Sequence, residues 1–194
     1  MDRISQLNAL IQQFDLNQHP FYQEWSKGTL TVDMLRDYAG EYAKFVGTIA
    51  DGWETLGNSH YAEEERVHEG LWADFRAEIG AMPAPDLPST DVLVTSAKKY
   101  FNHNAATALG ALYAFEAQQP ATARAKYDGL DLNYQTSEKG KEYFKVHADD
   151  LAEIELLRSM LDGMSEGDFQ QAKHACAVVC ASMLGALDGI YYKA

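Results

Sequence analysis

The chain has 194 residues, 46% hydrophobic and 23% charged, which fits one folded domain with a core large enough to hold a small pocket. Its net charge of −13, from 29 acidic and 16 basic residues, excludes a surface built for nucleic acid or an anionic membrane, since both need clustered Lys and Arg. No apolar run reaches the roughly 20 residues that span a bilayer, and Met1-Asp2-Arg3-Ile4-Ser5 lacks the basic-then-apolar layout of a secretion signal. Cys176 and Cys180, four apart on one expected helix, read as reduced and buried, so a cytoplasmic protein is expected.

Helical spacing runs through nearly the whole chain. Ile4, Leu7, Leu10, Ile11 and Phe14 recur at three- and four-residue steps and mark a first amphipathic helix. His19-Pro20 opens a short helix that Gly28 closes. Thr31 caps a longer one through Leu35, Tyr38, Tyr42, Phe45 and Ile49, weakened toward Gly52 and Gly57. A further helix covers about Tyr61 to Ile79 and stops at Gly80, and the proline-rich stretch from Met82 to Pro88 is a loop. Ser89-Thr90-Asp91 caps the next helix, which runs to Tyr100 and, past a break at Asn102 to Asn104, on to Gln118. Pro120 breaks or kinks it, Ala121 to Tyr127 continue it briefly, and Gly129 to Asn133 form a connector. Thr136-Ser137-Glu138 starts a helix to about Leu161, and Ser165 caps a last one, apolar and small-residue rich from Ala172 to Ile190. With no strand-like alternation and no repeat, the expectation is an all-α bundle of seven to eight helices spanning residues 1–194 as one domain.

Three stretches of these helices carry chemistry. Glu64 and His68 are four apart and Glu65 and His68 three apart, so either pair shares a helix face, about 40° or 60° apart round the axis. Glu116 ends the apolar run Leu109 to Phe115, where a bare carboxylate is costly. His147, Asp150 and Glu153 follow one another at three-residue steps over an arc of about 120°. Each taken alone has a plain structural explanation: a solvated acidic face, a salt bridge, a core histidine. Two such groups and an isolated buried Glu are jointly better explained by a metal held between helices. Glu, Asp and His together suit iron or manganese, and the lack of thiolates disfavours structural zinc. His19 reads as a helix cap, and His60, His103 and His174 as surface or core. No nucleophile elbow or glycine-rich phosphate loop is present, and the apolar neighbours of Cys176 raise a thiol pKa.

The segment His19-Pro20-Phe21-Tyr22-Gln23-Glu24-Trp25-Ser26-Lys27-Gly28-Thr29-Leu30, followed by Leu35, Tyr38-Ala39 and Tyr42, resembles the opening of the TenA, PqqC and CADD family. His68-Glu69-Gly70-Leu71-Trp72, Ala111 to Pro120 and Tyr143-Phe144-Lys145-Val146-His147 fit its CADD-like branch best. The resemblance implies a haem-oxygenase-like fold without haem, usually a homodimer. It also implies a dinuclear iron or iron/manganese site that activates oxygen. Glu116, His147 and His68 match family ligands, and the preceding Glu falls on Glu63, Glu64 or Glu65, with Glu64 favoured. It further implies p-aminobenzoate formation for folate from one of the protein's own tyrosines. The tyrosine matches Tyr22, the lysine that gives nitrogen matches Lys126, and Tyr38 resembles a further site tyrosine.

The chain departs from that pattern in three places, one of them a shortened stretch between Val46 and His68. The family has seven residues from Glu to His in its first motif, against five here even from Glu63. Its last motif has His, Asp four on and His three beyond, where Leu151 and Ile154 stand here; a one-residue deletion aligns Asp150 and Glu153 instead. The second metal position is thus carboxylate-rich, or else lost to leave a mononuclear site or none. Three functions compete. One is a metal-dependent oxygenase or oxidase acting on a small molecule or on Tyr22. Another is a metal-free enzyme of the TenA or PqqC type, against which stands the lack of any Cys from Ala108 to Gln118. The third is a partner-binding protein with a decayed site.

Overall fold

Side-chain caps and a few glycines set the helix ends. In a computed structural model, which describes residues 2–81, 84–149 and 151–193, Asp2 accepts the Ser5 N–H to start α1 (Arg3–Ile11). His19 Nδ1 accepts the Phe21 N–H to cap α2 (Pro20–Lys27), and Gly28 ends it at φ 70°, a conformation that costs glycine least. Thr31 caps α3 (Val32–Val46). After α4 (Ile49–Thr55), α5 (Ser59–Glu78) and α6 (Pro88–Phe101), Asn104 and Thr107 form a reciprocal capping box on α7 (Ala105–Glu116). α8 (Gln119–Asn133), α9 (Glu138–Asp149), α10 (Ala152–Asp162) and the Ser165-capped α11 (Glu166–Tyr191) follow. No strand occurs among the described residues, as an all-α bundle requires. Taken together, the pairs separated by only two residues (α3 with α4, α7 with α8, α9 with α10) leave eight lengths of helix.

α7 is the central element, with every residue from Ala106 to Glu116 buried. α11, α6, α4 and α10 pack round it, while α8 and α9 pair with each other and carry α2 and α5 against them. Gly110 lets α7 and α11 meet backbone to backbone, because a Cβ there would lie 1.9 Å from the Ala172 carbonyl oxygen of α11. α11 is long and apolar enough to cross a membrane by length and composition, which the sequence reading did not recognise. Its Phe169, Cys176, Val179, Met183 and Leu187 are buried in the bundle.

Four boundaries differ from the sequence reading, each for a local reason. The break after α3 falls at Gly47-Thr48, and Gly52 lies inside α4 with the Phe101 and Leu112 side chains seated on it. Pro88 opens α6 in place of the Ser89-Thr90-Asp91 cap, and the Ser89 and Thr90 hydroxyls turn inward. Pro120 sits in the first turn of α8, which runs to Asn133 through the expected connector; Gly129 is kept there by Trp25, whose Cδ1 a Cβ would meet at 2.7 Å. The helix expected to reach Leu161 breaks between Asp149 and Ala152. Met82 and Pro83 of the expected loop lie outside the described residues, and its far end is held by the buried Glu41 carboxylate, which accepts the Asp86 and Leu87 N–H groups.

Candidate metal centre

Four helices aim acids and imidazoles at one buried point. α5 supplies Glu65 and His68, α7 ends on Glu116, α9 supplies His147, and the break before α10 turns Glu153 inward from its first turn. Ligand atoms of Glu65, His68 and His147 lie within 4.8 Å of one another, and so do those of Glu65, Glu116 and Glu153. The two triads share Glu65. Three carboxylates buried this close repel one another as anions, an arrangement a protein keeps when a cation sits between them. Glu65 Oε2 and His147 Nε2 are buried with no hydrogen-bond partner among the described residues, and a small cavity lined by His68, Glu116, Gln119, Val146, His147, Glu153 and Ile154 adjoins them.

The histidine is prepared as a neutral ligand. His147 Nδ1 lies 2.7 Å from the Tyr143 carbonyl oxygen, so Nδ1 carries the proton it donates and Nε2 presents its lone pair to the cluster. Burial, and next the neighbouring His68, push its pKa down to about 3. His68 Nδ1 lies 3.4 Å from Glu65 Oε1, and its ring centroid is 4.5 Å from that of His147. The residues present thus fit a metal ion of the iron or manganese kind: imidazole nitrogen and carboxylate oxygen, with no thiolate.

The preference for Glu64 is corrected by the rotation of α5. Glu64 is turned outward and lies 3.5 Å from His60, whereas Glu65 is 1% exposed. Asp150 lies outside the described residues.

Beside this charged cluster lies a second, almost uncharged one. Lys126 of α8 is 2% exposed, with its Nζ 3.5 Å from Tyr22 Oη and 3.4 Å from Tyr38 Oη. The same nitrogen lies 4.8 Å from the centre of the Tyr22 ring and within 5.8 Å of those of Tyr38, Tyr42 and Phe144. Burial lowers its pKa to about 7, with no carboxylate among the described residues to raise it again. Tyr22 Oη and Tyr38 Oη are 2.9 Å apart, and burial pushes both phenols above their ordinary range. Tyr22, Tyr38 and Lys126 thus come together, as do His68, Glu116, His147 and Glu153.

Rings connect the two clusters. From Tyr38 the centroids step 5.0 Å to Tyr42, 5.2 Å to Trp72, 4.8 Å to Tyr143 and 4.2 Å to His147. Tyr42, Trp72 and Tyr143 were not among the expected site residues. Their spacing held the signal: Trp72 is four residues after His68, and Tyr143 four before His147, so each shares its helix face with a candidate ligand. Cys176 and Cys180 are free and buried, and the Cys176 thiol is pushed up by its neighbour Cys180 and by burial.

Residues 52–173 match the haem-oxygenase-like family described as "Iron-containing redox enzyme". The 4-aminobenzoate synthase of Nitrosomonas europaea is 30% identical over 96% of this chain and 89% of its own length. Among solved structures, a TenA homologue from Pseudomonas syringae pv. tomato superposes with a TM-score of 0.79 at 15% identity, covering 97% of this chain and 92% of that one. A CADD-like protein of unknown function from Nostoc punctiforme gives 0.69 at 18% identity, covering 97% and 95%. The chain therefore belongs to the haem-oxygenase-like family of iron-containing redox enzymes, and it is similar to 4-aminobenzoate synthases along nearly its whole length.

Proposed function

We propose that the chain is an iron-dependent oxidase that forms 4-aminobenzoate from its own Tyr22, with Lys126 as the source of nitrogen. The observation that carries this reading is the Lys126 amine, its pKa lowered to about 7 by burial and its Nζ 3.5 Å from Tyr22 Oη, inside an aromatic cage joined by ring contacts to the carboxylate-histidine cluster. A lysine kept as a plain structural cation would be paired or exposed. The names of the relatives support the product, and the family description supports the metal.

Glu65, His68 and His147 would hold one ion and Glu65, Glu116 and Glu153 a second, with Glu65 shared. The all-carboxylate triad suits the harder manganese, and the triad with two imidazoles suits iron. Iron bound there supplies, with dioxygen, the one-electron oxidising power that a phenol requires. Tyr22 and its neighbours do the rest. Its phenol is too weak an acid in this setting to lose its proton beforehand, so the proton leaves with the electron. Neutral Lys126 Nζ is the base within reach, and Tyr38 Oη holds the phenol in place. Burial of all three keeps water from the oxidised ring.

The test is mass spectrometry of protein loaded with iron, or with iron and manganese, after exposure to reductant and dioxygen. Wild type should release 4-aminobenzoate and lose mass at the peptide bearing Tyr22. Tyr22→Phe should keep its metal and make at least about 100-fold less product; undiminished product from that variant would sink the reading.

A further inference from the structure

Tyr22, Tyr42 and Lys126 are all buried, so whatever reacts with them must cross the bundle. One enclosed cavity of ≈ 10 Å³ touches Tyr22 and Tyr42, and its other walls are Leu16, Thr90, Leu93 of α6 and Met183, Ala186, Leu187 and Ile190 of α11. It has room for about one water-sized molecule. Water is a poor tenant. A buried water usually makes two to four hydrogen bonds, and the Tyr22 hydroxyl is already engaged by Tyr38 and Lys126. Thr90 Oγ1, which has no partner among the described residues, and Tyr42 are the remaining polar groups in the lining. The rest is hydrocarbon and thioether, a lining that favours a small apolar molecule.

The way in is short. Thr90, Leu93, Met183 and Ala186 face the cavity, while their chain neighbours Ser89, Val92, Ser182 and Gly185 line an open groove of ≈ 680 Å³ on the surface. One layer of side chains along the seam between α6 and α11 separates groove from cavity. That layer sets the small Ser89, Thr90, Ser182, Gly185 and Ala186 beside Val92, Leu93 and Met183. At Gly189 the helices touch so closely that a Cβ would lie 1.9 Å from Ser89 Oγ. The groove carries no Asp, Glu, Lys or Arg that a nonpolar gas would have to displace from water.

We propose that this cavity is a dioxygen site, filled through the α6–α11 seam, that delivers the gas to the face of the bundle where Tyr22 is buried. The delivery rests on the function proposed above, whereas the binding does not. Binding is read on metal-free, full-length protein from methyl proton relaxation under dissolved dioxygen, a paramagnetic probe. Methyls of Leu93, Leu187 and Ile190 should relax several-fold faster than those of Leu7, Leu157 and Leu161, which are as buried but do not line the cavity. Ala186→Leu should erase the difference. Equal relaxation in wild type would overturn the site whether or not that variant folds, and so would an ordered water bonded to Thr90 Oγ1 that dioxygen leaves in place.

Delivery is read on the iron-loaded protein. Ala186→Leu should raise several-fold the dioxygen concentration at which Tyr22 is consumed at half its maximal rate, with metal content unchanged. Gly185→Val, where an added Cβ meets nothing within 4 Å, should raise it too by narrowing the groove without disturbing the core. An unchanged oxygen dependence in both variants would overturn delivery. Should wild type show the relaxation pattern while iron-loaded protein never consumes Tyr22, the functional reading fails and delivery to Tyr22 falls with it, while the gas site stands.

Discussion

The two buried clusters solve the same problem in opposite ways. Around Glu65 the bundle gathers two imidazoles and three carboxylates, whose mutual repulsion as anions a countercharge would relieve. Around Lys126 it surrounds a single amine with Tyr22, Tyr38, Tyr42 and Phe144 and supplies no countercharge among the described residues, so the amine's pKa falls to about 7. One region asks for a cation; the other makes a base out of what is ordinarily a cation. The largest expected effects come from reversing these solutions. Lys126→Met keeps the cage filled but removes the base and the nitrogen, and 4-aminobenzoate should fall at least about 100-fold with metal content unchanged. Lys126→Arg should be equally inactive, since a guanidinium stays charged. An active Lys126→Arg, measured by product yield, would show that discharge of this side chain is not what the site needs.

At the other cluster, Glu65→Ala should abolish binding of both ions, because both triads use that carboxylate. Glu64→Ala should leave metal content at wild-type level. Elemental analysis of the purified variants decides between them. Metal at about 100 times its Kd should stabilise the wild type by about 2.7 kcal/mol, or roughly 5–10 °C in Tm for a chain of this size, and Glu65→Ala by far less. Equal thermal gains in both proteins would mean that the ions bind elsewhere.

The same contrast explains what the sequence revealed. The fold was legible because caps and apolar spacing are local: His19, Thr31 and Ser165 each start a helix from within a few residues. The aromatic site was legible only through family resemblance, since nothing local to Tyr22 or Lys126 distinguishes them from other core residues. For the metal cluster the candidate residues were visible, but the orientation of α5 was not taken from the right stripe. Ala62, Glu65, Trp72 and Phe75 form its buried face, and following Trp72 and Phe75 back in helical steps leads to Glu65, not Glu64. Glu153 was named from three-residue steps along one helix, and it does join Glu65 and Glu116, but by another route. It reaches the cluster from the first turn of α10, after a break that follows Asp149, and a periodicity argument assumes one unbroken helix.

Acid and base titration sharpens the comparison from the amine side. The Lys126 pKa is lowered from 10.5 to about 7 in the folded chain, so between these values the unfolded chain binds one more proton. Stability should therefore rise with pH across that window, by up to about 1.4 kcal/mol per pH unit from this group. Above about pH 10 the buried tyrosines, whose pKa values are raised, work the other way, since the folded chain then holds the extra protons. Denaturant unfolding at pH 7 to 9.5 measures the slope, and Lys126→Met should flatten it. Product formation should follow the neutral amine and decline about tenfold per pH unit below pH 7. A wild-type slope no different from that of Lys126→Met would mean that the amine keeps its proton in the folded state.

The smallest effect separates buried polar atoms that await a ligand from those that do not. Glu65 Oε2 and Thr90 Oγ1 are both buried without a hydrogen-bond partner among the described residues. The first sits among groups that a cation would satisfy, while the second faces a cavity of hydrocarbon walls, where a hydroxyl contributes only its cost of desolvation. Thr90→Val conserves shape and removes that cost, so it should stabilise the chain by about 1 kcal/mol in denaturant unfolding. A destabilised Thr90→Val would mean that the hydroxyl is satisfied in solution, by a water in the cavity. That outcome would argue against the gas site from a second direction, because a water held there must be expelled before dioxygen can enter.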